Sequence, residues 1–503
     1  MERSSTGAKT IDFPVIVIGG GPVGLSMALG LAHHGIRSLL IERDADPTHE
    51  SRAFGIWPRT LEILRDWGGL DALRQFGTLY TTLDPVDARN ERRLFSFDFA
   101  VLDEVTAIAG AMIMPQNMTE RVLLNLVQQR QDCEIRTAEC IDIRQDTDGV
   151  SVRIRTGDGE DTLRASFIVG CDGAHSTVRK QLGQQLRGET YPTRMVLSDE
   201  RIDENGLGRL RFAVHRPGFL ASVRFAPNLW RVMATVPDTM NDTEALAEPA
   251  HAARVRDLFG DRHHDTVWIS QFHLYRRHVE RFRVGRVLLA GDAAHLNSPA
   301  GGQGMNSGIQ DAENAAWKLA AALNGGDHDR LLESYHQERW EAVVSHVERN
   351  SDRNTRLEFG MPAWLKPTLL SLLGYAIHIG PISLQFARNF SMFDTTYTDS
   401  SLLSGRQRLV GTHIDDRRVH GNQRISDLLG GRAGIVAVKT PELGNMIDGI
   451  PVVHLPDTPR NWDIHGPSAV VVRPDHYIGA VVEKPTRETL MKEVDIALGR
   501  KAR

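Results

Sequence analysis

Apolar residues along this chain fall into three arrangements, and each predicts a different element. Short unbroken runs ended by glycine or an acid predict strands buried on both faces: Phe13 to Ile18, Ser38 to Glu42, Phe167 to Gly170 and Val287 to Ala290. Apolar residues three and four apart predict helices. Leu25 to His34 is one, ended at Gly35, and a series from Met305 through Ile309, Ala312, Ala316 and Leu319 to Leu323 is another, stopped by Asn324-Gly325-Gly326. Pro58 suits the first turn of a helix reaching Trp67-Gly68, and Thr119 to Arg130 is a further helix. Alternating residues predict strands through Glu134 to Arg155 and again from Gln185 to Phe282, the second set interrupted by a helix from Pro249 to Phe259. The segment 78–111 alternates in shorter pieces, as in Arg92 to Phe99, and reads as hairpin material inserted in the first domain. A long charged helix is predicted from Leu331 to Glu358 and further apolar helix over 363–395. Past Leu403 come a turn at Ile425 to Gly431, strands at Gly434 to Val438, Pro451 to Leu455 and Ser468 to Val472, a final strand, and a helix from Arg487 to Leu498.

Composition narrows the classes. The 503 residues are 41% hydrophobic and 24% charged with a net charge of −5, so nothing points to a nucleic acid or another polyanion as partner. Cys133, Cys140 and Cys171 are too few for a disulfide framework and lack a companion histidine pair, so no zinc site or other metal is expected. The first ten residues are polar, and Leu365 to Leu384 is broken by Lys366, Pro367, Gly374, His378 and Pro381. Neither a signal peptide nor a membrane span is expected, and the cytoplasm is the expected compartment.

Three turns carry candidate chemistry. The first is Gly19-Gly20-Gly21-Pro22-Val23-Gly24 between strand and helix, with Glu42 following 18 residues after Gly24 (42 − 24) at the tip of the next strand. Gly19 allows a tight turn, Gly21 lets a pyrophosphate approach the backbone, Gly24 lets helix pack on strand, and Glu42 suits a ribose, with Arg43 beside it. The second turn is Cys171-Asp172-Gly173, with Ser176 placed to cap a short helix. Asp172 either holds that turn by accepting backbone N–H bonds or faces a cofactor. The third is Gly291-Asp292 with the loop Pro299-Ala300-Gly301-Gly302-Gln303-Gly304-Met305-Asn306. A helix start behind glycines presents free N–H groups and a partial positive charge, which suits an anionic edge. Gln116, just ahead of a helix, either contacts a ligand or caps locally. Arg52 and Arg59 read as solvated arginines. The basic run Tyr275 to Arg283 reads as a solvated connector or as a docking patch for a nicotinamide phosphate.

Together the three motifs resemble the single-component FAD-dependent aromatic hydroxylases, the class A flavoprotein monooxygenases, over essentially the whole chain. The RPDHYIGA segment, without a CxxC, resembles the thioredoxin-like appendage of the phenol and polyketide hydroxylase branch. The resemblance implies an α/β fold: a Rossmann-like FAD-binding domain (11–77, 112–185 and 285–400, with a helical extension), an inserted β-sheet substrate domain (78–111 and 186–284) and a thioredoxin-like C-terminal domain (404–503). It implies that Gly19, Gly21, Pro22, Val23 and Gly24 meet the FAD pyrophosphate and that Glu42 and Arg43 lie at the adenosine ribose. Arg52 and Gln116 match flavin-chain contacts, Asp172 an FAD and NAD(P)H contact, and Gly291-Asp292 the ribityl site. Pro299 would lie against the ring, and Gly304, Met305 and Asn306 would face its N1–C2=O edge. It implies NADPH or NADH as reductant, a flavin hydroperoxide as oxygen donor, a phenolic or polycyclic aromatic substrate, and a monomer or homodimer. Baeyer–Villiger oxidation is the alternative outcome, and a non-catalytic flavin-binding protein the alternative of another class. No residue is assigned as the acid or base that handles the substrate.

Overall fold

The computed structural model describes residues 10–44, 53–203, 206–214, 216, 218–297, 302–348, 365–459 and 461–501. The apolar strand Phe13–Ile18 is central to the first sheet. It pairs in parallel with Ser38–Glu42 on one side and with Gly159–Gly170 on the other, and Cys133–Thr137 pairs in parallel outside Ser38–Glu42. Val287–Leu289 adds in parallel to the carboxyl end of Gly159–Gly170, in register from Ile168 opposite Val287 to Gly170 opposite Leu289. Strands with both faces covered must be apolar throughout; Val15, Ile16, Val17, Leu39, Leu40, Val169 and Leu288 are all fully buried. The helices Pro22–His33 and Gly304–Leu323 cover this sheet and touch each other, close enough that a side chain on Gly30 would meet Ala316.

A second, seven-stranded sheet is antiparallel except at one edge. Its order is His295–Leu296, His264–His278, Arg187–Ile202, Leu229–Val236, Leu220–Ala226, Leu210–Phe212 and Pro85–Asp87. Both edge strands come from outside the run 186–284. Pro85–Asp87 pairs in parallel with Leu210–Phe212, and His295–Leu296 closes the other edge directly after the third glycine–acid turn. The rest of 78–111 is shared out elsewhere. Thr78–Tyr80 and Ala111–Ile113 form a three-stranded sheet with Gly55–Ile56, and Arg92 to Phe99 contains only the short strand Phe97–Asp98 before a helical turn at Phe99–Leu102.

The long charged helix is drier than its sequence implies. Within the described residues it runs over His328–Glu341 and passes into a wider helical turn over Ala342–Glu348. Residues 349–364 lie outside the described set. Leu331, Leu332 and Tyr335 are buried in it, and so are Glu338 and Arg339. Lys366–Ala376 and Gly380–Phe390 form a helical hairpin bent by 107°. It packs through Phe390 on Trp57 (4.4 Å between ring centroids) and Phe386 on Phe97 (5.2 Å). Among the described residues no single helix is long and apolar enough to cross a membrane.

The last hundred residues build a five-stranded sheet in the order Met446–Ile447, Ile450–Leu455, Gly434–Val438, Ser468–Val472, Ile478–Glu483, with the helix Arg487–Ala497 against it. The crossover between the parallel pair Gly434–Val438 and Ile450–Leu455 carries a single helical turn, Pro441–Leu443. The turn Arg473 to Tyr477 reaches back into the body. Arg473 donates to both oxygens of Glu338 (2.6 and 2.8 Å), and Asp475 accepts from Trp317 Nε1 (2.9 Å) and Asn314 (3.3 Å). The C-terminal sheet is thereby tied to the Gly304–Leu323 helix through a buried charge network.

Candidate active site

Parallel pairing brings the carboxyl ends of Phe13–Ile18, Ser38–Glu42, Gly159–Gly170 and Val287–Leu289 to one edge, where open α/β sheets bind ligands. At the first turn Gly19 has φ +105°, a conformation that favours glycine. A side chain on Gly24 would press its Cβ to 1.8 Å from the Gly19 carbonyl oxygen, so helix and turn are in contact there. At Gly21 the space a Cβ would fill is open, with nothing within 4 Å. Pro22 opens the helix, where a missing N–H costs nothing. The Glu42 carboxylate accepts from the Gly20 N–H and from the Asp44 N–H (3.0 Å). Arg43 is exposed and paired with Asp44.

At the second turn Asp172 accepts from Ser176 Oγ (2.5 Å) and from the N–H groups of Thr177 (2.6 Å) and Val178 (3.1 Å). Ser176 in turn caps the short helix Thr177–Gln181 by accepting from the Arg179 N–H (2.9 Å). Asp172 thus fastens its own turn and also lines the cleft. Arg179 joins this turn to the next, donating to the carbonyls of Ala174 (2.8 Å) and Ala293 (3.2 Å).

The third turn is held from behind. Gly291, at φ +57°, donates to Asp311 Oδ2 (2.9 Å), which also bonds His295 Nε2 (2.8 Å), while Asp311 Oδ1 takes Arg339 Nε (2.6 Å). Burial pushes the Asp311 carboxyl up, but Arg339 and then His295 outweigh it and hold it below the usual range. With Gly291, Ala293 and Ala294 all buried, Asp292 alone of this turn is exposed. Val23 packs into the notch between Gly291 and Gly308, where a side chain on either glycine would collide with it. That wedge locks the start of the third helix against the first glycine turn.

The helix begins at Gly304, one residue earlier than the sequence pattern implies, and its first internal bond is Ser307 N–H to Gln303 O (2.8 Å). The N–H groups of Gly304, Met305 and Asn306 precede that bond. Gly304 and Met305 border the cleft, as do Phe54, Phe272, His273, Tyr275, Leu296 and Asn297 on the side of the second sheet. The cleft has a volume of about 710 Å3, within the usual range for a small-molecule site. Its wall also includes Gly19, Gly21, Pro22, Val23, Glu42, Arg43, Gln116, Asp172 and Asp292. Gln116 both accepts from the Ala53 N–H (3.0 Å) and donates to Glu120 (2.8 Å), so local capping and a place at the cleft coexist.

Several expected residues stand elsewhere. Gly24, Gly291 and Asn306 are behind the wall and not part of it. The Asn306 side chain turns inward, accepting from the Trp57 N–H (2.9 Å) and donating to the carbonyls of Gly55 and Gly302 (both 2.9 Å). Arg52 and Pro299 fall outside the described residues. Arg59 is not solvated but buried, with Nη2 on Glu313 (2.5 Å) and on the Asp475 carbonyl (3.0 Å). The basic run is no loose connector either: Val279 and Phe282 are buried, Arg281 pairs with Glu333 and Arg283 with Asp329. Sequence reading missed the Asp311–His295–Arg339 support, the Arg179 strut and the Val23 wedge, whose partners are remote in the chain. Two thiols, Cys140 and Cys171, line the cleft, but burial pushes Cys140 up to about 12 and Cys171 well above its ordinary value. They stay protonated and offer no nucleophile. A smaller cavity of about 290 Å3 beside Arg65 and Ile108 gathers none of the motif residues.

The residues fit a dinucleotide: an open backbone approach at Gly21, an acid at the tip of the second strand, a second, exposed acid at Asp292, and helix N–H groups at the far end. Comparison with known proteins agrees. Residues 12–351 match the family described as FAD binding domain. The uncharacterised aromatic compound monooxygenase YhjG of Bacillus subtilis (strain 168) is 30% identical over 488 residues, 94% of this chain and 95% of its own length. The 12-dehydrotetracycline 5-monooxygenase/anhydrotetracycline 6-monooxygenase of Streptomyces rimosus subsp. rimosus is 30% identical over 500 residues, covering 93% of this chain and 94% of its own. Among solved structures, the anhydrotetracycline hydroxylase OxyS from Streptomyces rimosus aligns with a TM-score of 0.77 at 28% identity, over 97% of this chain and 100% of its own. The chain belongs to the FAD-dependent aromatic monooxygenases.

Proposed function

We propose that this monooxygenase hydroxylates a phenolic or polycyclic aromatic compound of polyketide type, held between the flavin end of the cleft and the second sheet. The carrying observation is the cleft itself. Its polar, glycine-rich half suits FAD, and its remaining wall is the face presented by Phe54, Phe272, His273, Tyr275 and Leu296. The tetracycline-modifying relatives support a fused-ring guest. FAD, when bound, supplies the redox and dioxygen chemistry, with NADPH or NADH as the reductant.

In this reading the chain's own groups bind, orient and shield. Glu42, with Arg43 beside it, would accept from ribose hydroxyls, and Gly21 would let the pyrophosphate approach the helix start. Gln116 would flank the cofactor chain, and Asp172 would do so while fastening its turn. Asp292 would accept from the ribityl hydroxyls. The N–H groups of Gly304 and Met305, with the helix dipole behind them, would stabilise negative charge on the adjoining edge. The aromatic wall excludes water from the reacting face.

The proposed domains are a discontinuous FAD-binding domain, a substrate-binding β-sheet domain that includes Pro85–Asp87, and a thioredoxin-like C-terminal domain without redox thiols. The cytoplasm is the proposed compartment, supported by three free thiols, and the proposed assembly is a monomer or homodimer. The test supplies the FAD-loaded enzyme with NADPH or NADH, labelled dioxygen and a panel of phenols and fused-ring aromatics. Incorporation of one labelled atom as a ring hydroxyl is expected. An inserted ester oxygen would move the reading to Baeyer–Villiger chemistry, and consumption of reductant with no labelled product from any aromatic would overturn it.

A further inference from the structure

Behind the helix Pro58–Asp66, three side chains from distant parts of the chain meet in the interior: Glu62, His413 and His476. They are 1, 4 and 3% exposed. Each offers one donor atom, and the three atoms lie within 4.8 Å of one another. The backbone fixes the two histidines together, since His413 bridges Tyr477 and the Ile414 N–H donates to the His476 carbonyl (2.9 Å).

The polar atoms of this cluster lack hydrogen bonds, although His476 Nε2 stands 3.3 Å from Asp66 Oδ2 and Glu62 Oε2 stands 3.8 Å from Arg59. Both carboxylate oxygens of Glu62, both ring nitrogens of His413 and Nε2 of His476 make no hydrogen bond among the described residues. Buried polar groups without partners are costly and rare in folded proteins. The spacing suggests what completes them. Glu62 Oε2 and His413 Nε2 stand 3.4 Å apart, longer than a good N–H···O bond of about 2.7–3.2 Å. Two donors bound tetrahedrally to one zinc ion, at about 2.0–2.1 Å each, are separated by about 3.3–3.4 Å. We propose that Glu62, His413 and His476 hold a divalent cation of the zinc type, with water in the fourth position, and that the ion fastens the C-terminal segment to the Pro58–Asp66 helix.

Charges of both signs surround the cluster. Arg59 lies 3.8 Å from Glu62, but its other amino group is engaged by Glu313 and Asp475. Arg65 is held by Asp66 and Arg388 by Asp415. Asp66 stands 3.3 Å from His476 and Asp416 lies 3.8 Å from Arg65. Two imidazoles and one carboxylate form a donor set suited to zinc or ferrous iron. The ligands sit at positions 62, 413 and 476, with no spacing that a sequence reading could catch.

The test uses the full-length, untagged, FAD-loaded protein. It is treated with chelator, exchanged into metal-free buffer and titrated with zinc chloride, with elemental analysis after dialysis. One zinc per chain, retained through dialysis and accompanied by a zinc-dependent rise in thermal midpoint, is expected. Glu62→Gln is expected to weaken zinc binding by at least about 10-fold. A natively folded wild-type protein that retains no zinc, or a Glu62→Gln variant that binds it as tightly as wild type, would overturn the proposal. Zinc-edge X-ray absorption on the wild type needs no variant to fold. A four-coordinate shell of nitrogen and oxygen with two imidazoles supports the site, and a shell without imidazole refutes it.

Discussion

Gly21 and Gly24 lie three residues apart in one motif, yet alanine should fail at each for a different reason. At Gly24 the new Cβ would stand 1.8 Å from the Gly19 carbonyl oxygen, where real contacts stay above 3.0 Å. Helix and turn must separate by about 1.2 Å (3.0 − 1.8). Both are in the packed interior, and overpacking of this kind costs about 1–3 kcal/mol, with a backbone contact placing it at the upper end. Gly21→Ala meets nothing in the protein. Its penalty as a helix-capping residue is a few tenths to about 1 kcal/mol, offset by a similar loss of freedom in the unfolded chain. The apoprotein should therefore be nearly unchanged. The methyl group instead occupies the approach to the pyrophosphate and should displace a hydrogen bond to a charged group, worth about 1.5–3 kcal/mol, or roughly 10- to 150-fold in FAD affinity. Urea unfolding of both apoproteins and FAD titration followed by flavin fluorescence separate the two effects. The reasoning fails if Gly21→Ala destabilises the apoprotein as much as Gly24→Ala does, or if it leaves FAD affinity intact.

Asp292→Asn should weaken FAD binding by about 10-fold with little change in apoprotein stability, because only the side chain at the cleft changes; titration of the apoprotein checks this. Asp311 supports the same turn, and its folded-state pKa lies below the unfolded value of about 4. Its contribution is therefore present above about pH 4 and lost as pH falls through the folded value. The stability gap between wild type and Asp311→Asn in urea should stay level from about pH 7 to 5 and narrow below about 4; a gap that persists unchanged at lower pH contradicts the assignment. Arg473→Met takes the buried cation from Asp475 and leaves Glu338 with Lys318 alone, and should cost about 3–5 kcal/mol, read by the urea midpoint. Cys140 and Cys171 should resist alkylation in the native protein at pH 8 and react only on unfolding, as mass spectrometry would report.

The parts of the site legible in sequence are those whose cause is local. A strand, a glycine turn and an acid within some thirty residues announce Gly19 to Glu42, and the same logic locates Asp172 and Asp292. The C-terminal strands were legible because each is a short apolar run ended by a turn. What was not legible depends on pairing across the chain. Arg59 resembles a surface arginine until Glu313 and Asp475 stand beside it, and the helix His328–Glu341 looks solvated until Glu338 and Arg339 find Arg473 and Asp311. Segment 78–111 was legible as strand-forming, but its partners were not: one piece pairs with residues 210–212 and others with 55–56 and with each other. A local window cannot show which buried charge will be matched.

The parallel register also sets when the cleft can exist. Its three acid-bearing turns follow strands at residues 38–42, 159–170 and 287–289, all assembled around 13–18. On a ribosome, the opening turn must therefore wait for some three hundred residues of synthesis before its last neighbour emerges, and for longer still before Arg473 seats the closing segment. Pairings so remote make for slow assembly. Cofactor uptake in the cell should thus be an event of the nearly finished polypeptide, and shortages of flavin should be felt as arrested maturation of whole chains more than as failure of an early folding step.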